Sequence, residues 1–399
     1  MSAAPSLAIC GGKPRFSDAL AIGQFYRPEW ARYEEAARDI FFRRYYVSQR
    51  AVGPLVVQLQ GRLQDFLGVK HALPVGNAAV GFMIATHVVG LRGRVVVTPS
   101  LSAEAAQSLA WSNCRPVLAD IDPATLQVST ASLRSLLKDG GIEGLLVPHC
   151  CAGAAPVDEI EALASEYDVP AYYDATQAFG CKVSGRSVGT FGQAEVFSFD
   201  ATNILGMAHG GCLATNDDAL AAAFKAMRGD HVVGPGTSVQ SATARMSEIQ
   251  AAVALMMLDD FEHNRDNNQL QHRCYRDRLR NTPGIRVLRP TGASYSNFQN
   301  VVGIVESEHF GLSRDQLIAV LRAENVTAEP LFSSPRAPFG ERSDVEYDAR
   351  LLQGAEMAAQ TTLQLPIGGR VTIDHIERIC DVINEAHVHA DLIRSKFGR

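Results

Sequence analysis

The chain has 399 residues, of which 46% are hydrophobic and 20% charged, and its formal net charge is −6. These values are typical of a globular protein with a sizeable core, and the acidic balance disfavours a nucleic-acid partner. No apolar run is long enough to predict a membrane-spanning helix, and the first residues lack the basic and apolar regions of a secretion signal. We expect a cytoplasmic protein.

The first half of the sequence alternates between helical and strand-like segments. Amphipathic or capped patterns predict helices over residues 54–67, 103–112, 130–138 and 157–167. Short apolar runs predict strands over residues 94–98, 116–120, 144–148, 170–174 and 195–199. Nearly continuous apolar strands alternating with helices indicate an α/β fold, with a mainly parallel sheet covered on both faces.

The pattern changes after about residue 240. Residues 246–263 predict one long helix that continues as a polar helical run to about residue 279. Strand-like runs at 285–288 and 300–305 and helical patterns at 313–324 and 372–389 follow. We therefore predict a large domain over residues 1–265 and a smaller C-terminal α/β domain over residues 266–399.

The eight cysteines form no C-x-x-C pair, and their spacing fits neither a zinc site nor a disulfide framework. Buried, reduced thiols are the expected state. No metal site is predicted.

Three strand-to-helix connections carry candidate binding groups, because ligands of open parallel sheets bind beyond the carboxyl ends of the strands. Gly76 and Asn77 precede an apolar helix, where unpaired N–H groups suit a phosphate; an ordinary Asn cap is the alternative. Asp174 ends one strand-like run and can hold a protonated pyridine nitrogen or cap the next turn. Ser198 ends another strand-like run and offers a hydroxyl.

In this order, these segments resemble the DegT/StrS class of nucleotide-sugar aminotransferases, which are fold-type-I enzymes that use pyridoxal phosphate (PLP). The resemblance extends over almost the whole chain. The matching positions are 11–14, 46–54, 99–100, His149, Asp174, Gln177, Gly180, 197–199, 201–202, 210–211, 245–252 and 365–366.

The resemblance implies a role for several of these residues. Asp174 would pair with the pyridine nitrogen and Gln177 would contact the ring hydroxyl, whereas Gly76, Asn77 and Ser198 would hold the phosphate. It also implies a homodimer with residues near Arg245 reaching across the interface. The substrate would be a small molecule such as a nucleotide sugar, contacted by loops 232–243 and 331–339.

The sequence departs from the family pattern at the position that matters most for catalysis. Asn203 stands where the resemblance places the Schiff-base lysine, and an amide cannot form an aldimine with the cofactor. Ala103 replaces the aromatic residue that would stack on the ring, and Asp200 replaces a histidine. None of the six lysines follows a strand at the expected ring position. PLP or pyridoxamine phosphate (PMP), if bound at all, is therefore expected to be non-covalent.

Three interpretations follow from these departures. The first, which we favour, is an enzyme with repurposed, non-transaminase chemistry, in which Asp200 or His149 acts as acid or base and the adjacent Cys150 and Cys151 are less favoured nucleophiles. The second is a catalytically silent subunit that pairs with a lysine-bearing paralogue, to which a ligand-binding or sensor protein that uses the old pocket is an alternative. The third is an aminotransferase engineered from lysine to asparagine.

Overall fold

The computed structural model describes residues 6–44, 52–230 and 242–397. Its helices are α1 (Trp30–Arg43), α2 (Pro54–Leu67), α3 (Ala78–Val89), α4 (Ala103–Trp111), α5 (Thr130–Asp139), α6 (Val157–Glu166), α7 (Asp218–Arg228), α8 (Glu248–Asp259), α9 (Phe261–Leu279), α10 (Ser307–Phe310), α11 (Arg314–Ala323), α12 (Gln353–Thr361), α13 (Ile373–Val388) and α14 (Ala390–Phe397). None of the helices described is long and apolar enough to cross a membrane.

The strands are β1 (His71–Val75), β2 (Gly93–Val97), β3 (Cys114–Leu118), β4 (Gly144–Pro148), β5 (Ala171–Asp174), β6 (Lys182–Val183), β7 (Arg186–Ser187), β8 (Glu195–Ser198), β9 (Gly211–Thr215), β10 (Ile285–Val287), β11 (Val301–Val305), β12 (Glu329–Pro330) and β13 (Thr362–Leu365). Seven of them form the main sheet in the order β1-β9-β8-β5-β4-β2-β3. Only β9 runs antiparallel to its neighbours β1 and β8 among these strands. The prediction of an α/β fold with a mainly parallel sheet is confirmed.

The two faces of the main sheet are covered by different helices. Because successive side chains of a strand point to opposite faces, Tyr172 and Tyr173 of β5 lie in different clusters. Tyr172 packs with α3 and α4, and its hydroxyl lies 2.7 Å from Thr86 Oγ1. Tyr173 packs in the cluster that includes α2, α6 and α8. We call these the α3/α4 face and the α2/α6 face.

Helix α2 shows how local sequence sets the element boundaries. It begins with Pro54, whose missing N–H costs nothing at a helix start, and it ends at Gly68, which adopts the left-handed conformation with φ of 69°. The carboxylate of Glu248 accepts hydrogen bonds from the N–H groups of Leu55 and Val56 at 3.1 and 3.2 Å. A negative charge at a helix N-terminus is stabilising, so α8 fixes the position of α2.

The C-terminal part contains a four-stranded antiparallel sheet in the order β10-β11-β13-β12. Its core includes residues of α9, α11 and α13 together with Leu7 and Phe16 from the beginning of the chain. The single helix predicted over 246–263 is wrong, because α8 ends at Asp259 and α9 begins at Phe261. Residue 265 lies inside α9, and the domain boundary placed there stays a prediction.

Candidate functional site

The candidate site lies at the carboxyl ends of β5 and β8, on the α3/α4 face of the sheet. Asp174 is the last residue of β5 and is 2% exposed. Its Oδ2 accepts the N–H of Ser102 at 2.8 Å, and its Oδ1 accepts the N–H of Thr176 at 3.0 Å. Two backbone donors therefore orient the carboxylate, while each oxygen retains a lone pair for a further donor.

Ser198 ends β8 and lies on the same face as Asp174, because it alternates with Phe197 on the other face. Its Oγ accepts the N–H of Asp200 at 3.4 Å. Its carbonyl oxygen accepts a hydrogen bond from the side-chain amide of Asn203, Nδ2, at 3.1 Å.

Asn203 is 9% exposed, and both ends of its amide are used. Besides the bond to Ser198, its Oδ1 accepts from Gln299 Nε2 at 3.4 Å. Gln299 Oε1 in turn accepts the N–H of Ile204 at 3.1 Å. Asn203 is thus part of a buried amide network that joins the loop after β8 to the segment before β11.

A short loop connects β8 to β9, and hydrogen bonds close its neck. The N–H of Phe199 donates to the carbonyl of Gly210, and the N–H of Met207 donates to the carbonyl of Phe199, both at 3.0 Å. Asp200 and His209 face each other at this neck, with His209 Nδ1 3.2 Å from Asp200 Oδ1. Sequence analysis missed His209, because its position opposite Asp200 depends on the antiparallel pairing of Ser198 with Gly211.

The N-terminus of α3 differs in one respect from what we expected. The N–H of Gly76 is not free for a phosphate, since it donates to the carbonyl of Ala244 at 2.9 Å. Asn77 caps the helix by accepting the N–H of Ala79 on its side chain at 2.8 Å, which matches the alternative interpretation of this segment. The remaining N–H groups at the helix start are still available to a ligand.

Arg245 lies directly beside this helix terminus, where its backbone forms a bridge with Val75. Its Nε and Nη1 are buried and have no hydrogen-bond partner in residues 6–44, 52–230 and 242–397. Buried guanidinium nitrogens without partners are costly, so this position fits an anionic group supplied from outside the described residues.

Helix α4 brings one further acidic side chain to the site. Ala103 begins this helix, is exposed and offers no ring to a planar ligand. Burial raises the pKa of the neighbouring Glu104 above its ordinary value, and the charges of Asp174 and Asp200 raise it further, against lowering by its own backbone N–H and by His209. Glu104 therefore shares its electrostatic environment with three other titratable groups of the site.

Gln177 lies one turn beyond Asp174, and its Oε1 accepts the N–H of Cys151 at 2.7 Å. Its contact with a ring hydroxyl stays a prediction.

His149 is not brought together with Asp174 and Ser198. Its side chain follows Val147 on the α2/α6 face, where its ring stacks on Tyr173 with centroids 5.0 Å apart. Its Nδ1 accepts the N–H of Ala155 at 3.0 Å, so the proton lies on Nε2, 3.1 Å from Glu195 Oε2. Both side chains of this pair are 0% exposed. These contacts are those of a structural residue, and the acid or base role stays a prediction without support from the structure.

Cys150 and Cys151 follow His149 and are both buried, with their Sγ atoms 3.1 Å apart. Sharing a hydrogen bond with Cys150, together with burial, raises the pKa of the Cys151 thiol well above its ordinary value. Because the thiolate is the reactive form of cysteine, this environment does not favour a nucleophile.

No lysine in the described ranges makes a hydrogen bond or ion pair with Asp174, Ser198 or Asn203. Lys182, the nearest of them in sequence to Asp174, lies over the ring of Tyr295 with its Nζ 5.8 Å from the centroid. Lys70 pairs with Asp218 at 3.5 Å. Residues 6–44, 52–230 and 242–397 also contain no group of three or more His, Cys, Asp or Glu side chains placed to hold a metal ion.

A cavity of about 1080 Å³ adjoins the loop that carries Asn203. Among the residues that line it are Phe25, Tyr26, Arg27, Ala201 and Arg370. It therefore combines aromatic rings with two cationic side chains. Most of the predicted substrate loop 232–243 and most of the matching segment 46–54 lie outside the described residues.

Known proteins are similar to this chain in both sequence and fold. At the sequence level, the dTDP-4-amino-4,6-dideoxy-D-glucose transaminase of Shigella dysenteriae is 28% identical over 337 residues, which cover 84% of this chain and 90% of that protein. The GDP-perosamine synthase of Caulobacter vibrioides is 27% identical over 347 residues, which cover 85% and 91%.

Among solved structures, DesI in the presence of its TDP-sugar product superposes with a TM-score of 0.90 at 29% identity, covering 99% of both chains. The family profile described as the DegT/DnrJ/EryC1/StrS aminotransferase family matches residues 45–384. Since this match spans most of the sequence, the chain belongs to the DegT/DnrJ/EryC1/StrS aminotransferase family.

Proposed function

We propose that this chain is an enzyme of sugar or secondary-metabolite biosynthesis that uses PLP or PMP non-covalently and does not carry out ordinary transamination. One observation carries the proposal: the residue at the expected lysine position, Asn203, is an amide bonded to Ser198 and Gln299. Such a group forms no covalent bond with an aldehyde cofactor and shuttles no proton.

The residues present fit the two ends of the cofactor. At the pyridine end, Asp174 offers a buried, pre-oriented carboxylate to a protonated ring nitrogen. At the phosphate end, Ser198, the start of α3 and Arg245, whose Nε and Nη1 have no partner among the described residues, offer donors and positive charge. When bound, the cofactor supplies an electron sink for a carbanion.

The same site predicts weak retention of the cofactor. Ala103 replaces a stacking ring, which removes about 0.5–1.5 kcal/mol of aromatic interaction. Without a covalent link to the protein, the cofactor can dissociate into the solvent. Glu104 and Asp200 add negative charge near an anionic ligand, which lowers its affinity further.

For the substrate, we propose a nucleotide sugar or a related amino compound. The relatives named above act on dTDP- and GDP-linked sugars according to their names. The cavity beside Ala201 has the size of a small-molecule site, and its aromatic and cationic lining suits a planar base and phosphates. We also propose a homodimer in which residues near Arg245 reach across the interface.

In the experiment, the purified protein is mixed with PLP and its absorption spectrum is recorded. The sample is then treated with borohydride and desalted, and the mass of the protein is measured by mass spectrometry. We expect a spectral change on mixing, loss of the cofactor on desalting, and no added mass. The matched variant Asn203→Lys supplies the missing amine at the same position. A second variant, Asp174→Asn, should weaken PLP binding.

A reduced adduct on the unaltered chain would contradict the proposal, because some lysine would then form the aldimine. If PLP and PMP both fail to bind, the repurposed-enzyme function is wrong. The silent-subunit interpretation would then be tested by purifying the chain together with a lysine-bearing paralogue.

A further inference from the structure

The loop between β8 and β9 contains a pair formed by an imidazole and a carboxylate. The contacts of the described residues give this pair no structural role. Asp200 and His209 are separated by eight residues, yet the closed neck of the loop places them opposite each other, with Nδ1 and Oδ1 3.2 Å apart. The His209 side chain is 69% exposed. A pair this exposed contributes little to stability.

The backbone of His209 is anchored to the proposed phosphate end of the site. Gln250 Nε2 donates to the carbonyl of His209 at 2.7 Å and to the carbonyl of Gly76 at 2.9 Å. Gln250 also belongs to the capping box of α8, where Ser247 and Gln250 bond to each other. The imidazole is therefore carried by a fixed backbone position, next to the turn that precedes α3.

Acidic side chains lie near His209 in the part of the chain that the structure describes. Asp200 contacts Nδ1, and the Glu104 carboxyl experiences the charges of Asp174, Asp200 and His209. The second ring nitrogen, Nε2, has no hydrogen-bond partner within residues 6–44, 52–230 and 242–397. A carboxylate close to one ring nitrogen and a second nitrogen without a partner suit an imidazole that takes up and releases a proton.

We propose that His209 is the acid/base residue of this site and that Asp200 is its positioning residue. The inference rests on the proposed function and assigns the proton transfer that Asn203 cannot perform. In the forward step, a C–H bond of the bound substrate breaks, its electron pair stays on carbon, and the proton forms a new N–H bond at Nε2. The charge of the resulting imidazolium is balanced by Asp200. The imidazolium then returns a proton to the same carbon, either the original one or one exchanged with water, and the C–H bond forms again.

A first test observes the pair directly by NMR of the intact protein labelled with ¹⁵N-histidine, using His209→Gln to assign the signals. We expect Asp200→Asn to shift the Nδ1 resonance of His209, and PMP to shift its Nε2 resonance. His309 is a matched control, because its side chain is also 69% exposed and its Nδ1 lies 3.3 Å from Glu306 Oε2. Its signals should respond to neither change.

A second test measures proton transfer as deuterium uptake at C4 of dTDP-4-amino-4,6-dideoxy-D-glucose, the amino sugar in the name of a relative, in heavy water containing the protein and PLP. We expect uptake faster than with free PLP, a loss of about 100-fold in His209→Gln, a smaller loss in Asp200→Asn, and no change in His309→Gln. Equal uptake in His209→Gln and the unaltered chain would overturn the proposal, as would uptake no faster than with free PLP.

The NMR test separates this inference from the proposed function. If PMP binds but leaves the His209 signals unmoved, the cofactor site is real and the role of His209 is wrong. If PMP does not bind, the proposed function fails and this role fails with it. The effect of Asp200→Asn on His209 would still show whether the pair exists.

Discussion

Two histidine–carboxylate pairs lie near the carboxyl edge of the main sheet, and they differ in almost every physical respect. His149 and Glu195 are fully buried on the α2/α6 face, and each has additional backbone partners. Asp200 and His209 lie in the loop after β8, and within the described ranges the imidazole has no hydrogen bond or ion pair besides its contact with Asp200. The first pair has the environment of a structural element, whereas the second has that of a reactive group.

The comparison shows that closeness to the strand ends in sequence does not decide which residue serves the site. His149 follows β4 and Asp174 ends the neighbouring parallel strand β5, and the N–H of His149 even donates to the carbonyl of Asp174 at 2.9 Å. Their side chains nevertheless lie on opposite faces of the sheet. A ligand on the α3/α4 face meets the carboxylate and not the imidazole.

The largest effect is expected from a substitution that breaks the buried pair. Glu195→Ala removes the partner of His149 and also the acceptor of the N–H groups of Gly189 and Phe191, both bonded at 2.7 Å. Each buried donor left without its acceptor costs about 1–3 kcal/mol, and His149 and the two backbone N–H groups all lose theirs, so we expect a large drop in the free energy of unfolding in urea. Asp200→Ala, in the exposed pair, should cost less than about 1 kcal/mol.

Glu195→Gln is the matched variant, because it keeps the volume and one acceptor oxygen. It should lose less stability than Glu195→Ala. Similar losses in Glu195→Ala and Asp200→Ala would show that the two pairs do not differ as described.

A smaller effect is expected at Asn203, which lies in the same loop as Asp200 and His209. Asn203→Ala removes the donor to the Ser198 carbonyl and the acceptor of Gln299 Nε2. The unsatisfied groups left behind cost about 1–3 kcal/mol. Thr202→Ala changes an exposed neighbour in the same loop and should stay within about 0.5 kcal/mol. If both variants unfold at the same urea concentration, the amide network does not stabilise the loop.

The sequence predicts where helices and strands begin and end better than it predicts the two histidine–carboxylate pairs. Helix α2 and strand β4 lie at the predicted bounds, because a proline start, a glycine stop and a continuous apolar run are local signals. The same apolar run explains why the orientation of His149 was not predictable. Residues 145–147 are Leu, Leu and Val, apolar on both faces, so no alternation marks the side on which the histidine lies.

Long-range contacts account for the rest of what the sequence left open at the site. The N–H of Gly76 is taken by Ala244, far along the chain. Asp200 meets His209 only because β9 returns antiparallel to β8. Neither partner leaves a periodic signal in the sequence, whereas Asn203 was found because its motif is contiguous.

The smallest expected effect concerns the electrostatics around the exposed Asp200–His209 pair. Burial and the charges of Asp174 and Asp200 raise the pKa of Glu104 in the folded chain. Because its pKa is raised in the folded chain, Glu104 contributes its full share to the free energy of unfolding below the unfolded-state pKa, which is about 4.3 for Glu. This contribution is lost as the pH rises through the folded pKa.

Glu104→Gln removes this titration with little change of shape. Relative to the unaltered chain, we therefore expect the variant to gain stability as the pH rises from about 4 towards neutrality, as measured by urea unfolding at several pH values. Glu308→Gln, an exposed glutamate of the first turn of α10, should show no such gain. A gain by the unaltered chain over Glu104→Gln with rising pH would mean that cations, and not carboxylates, dominate the field at the N-terminus of α4. The acidic environment assigned to His209 would then be wrong as well.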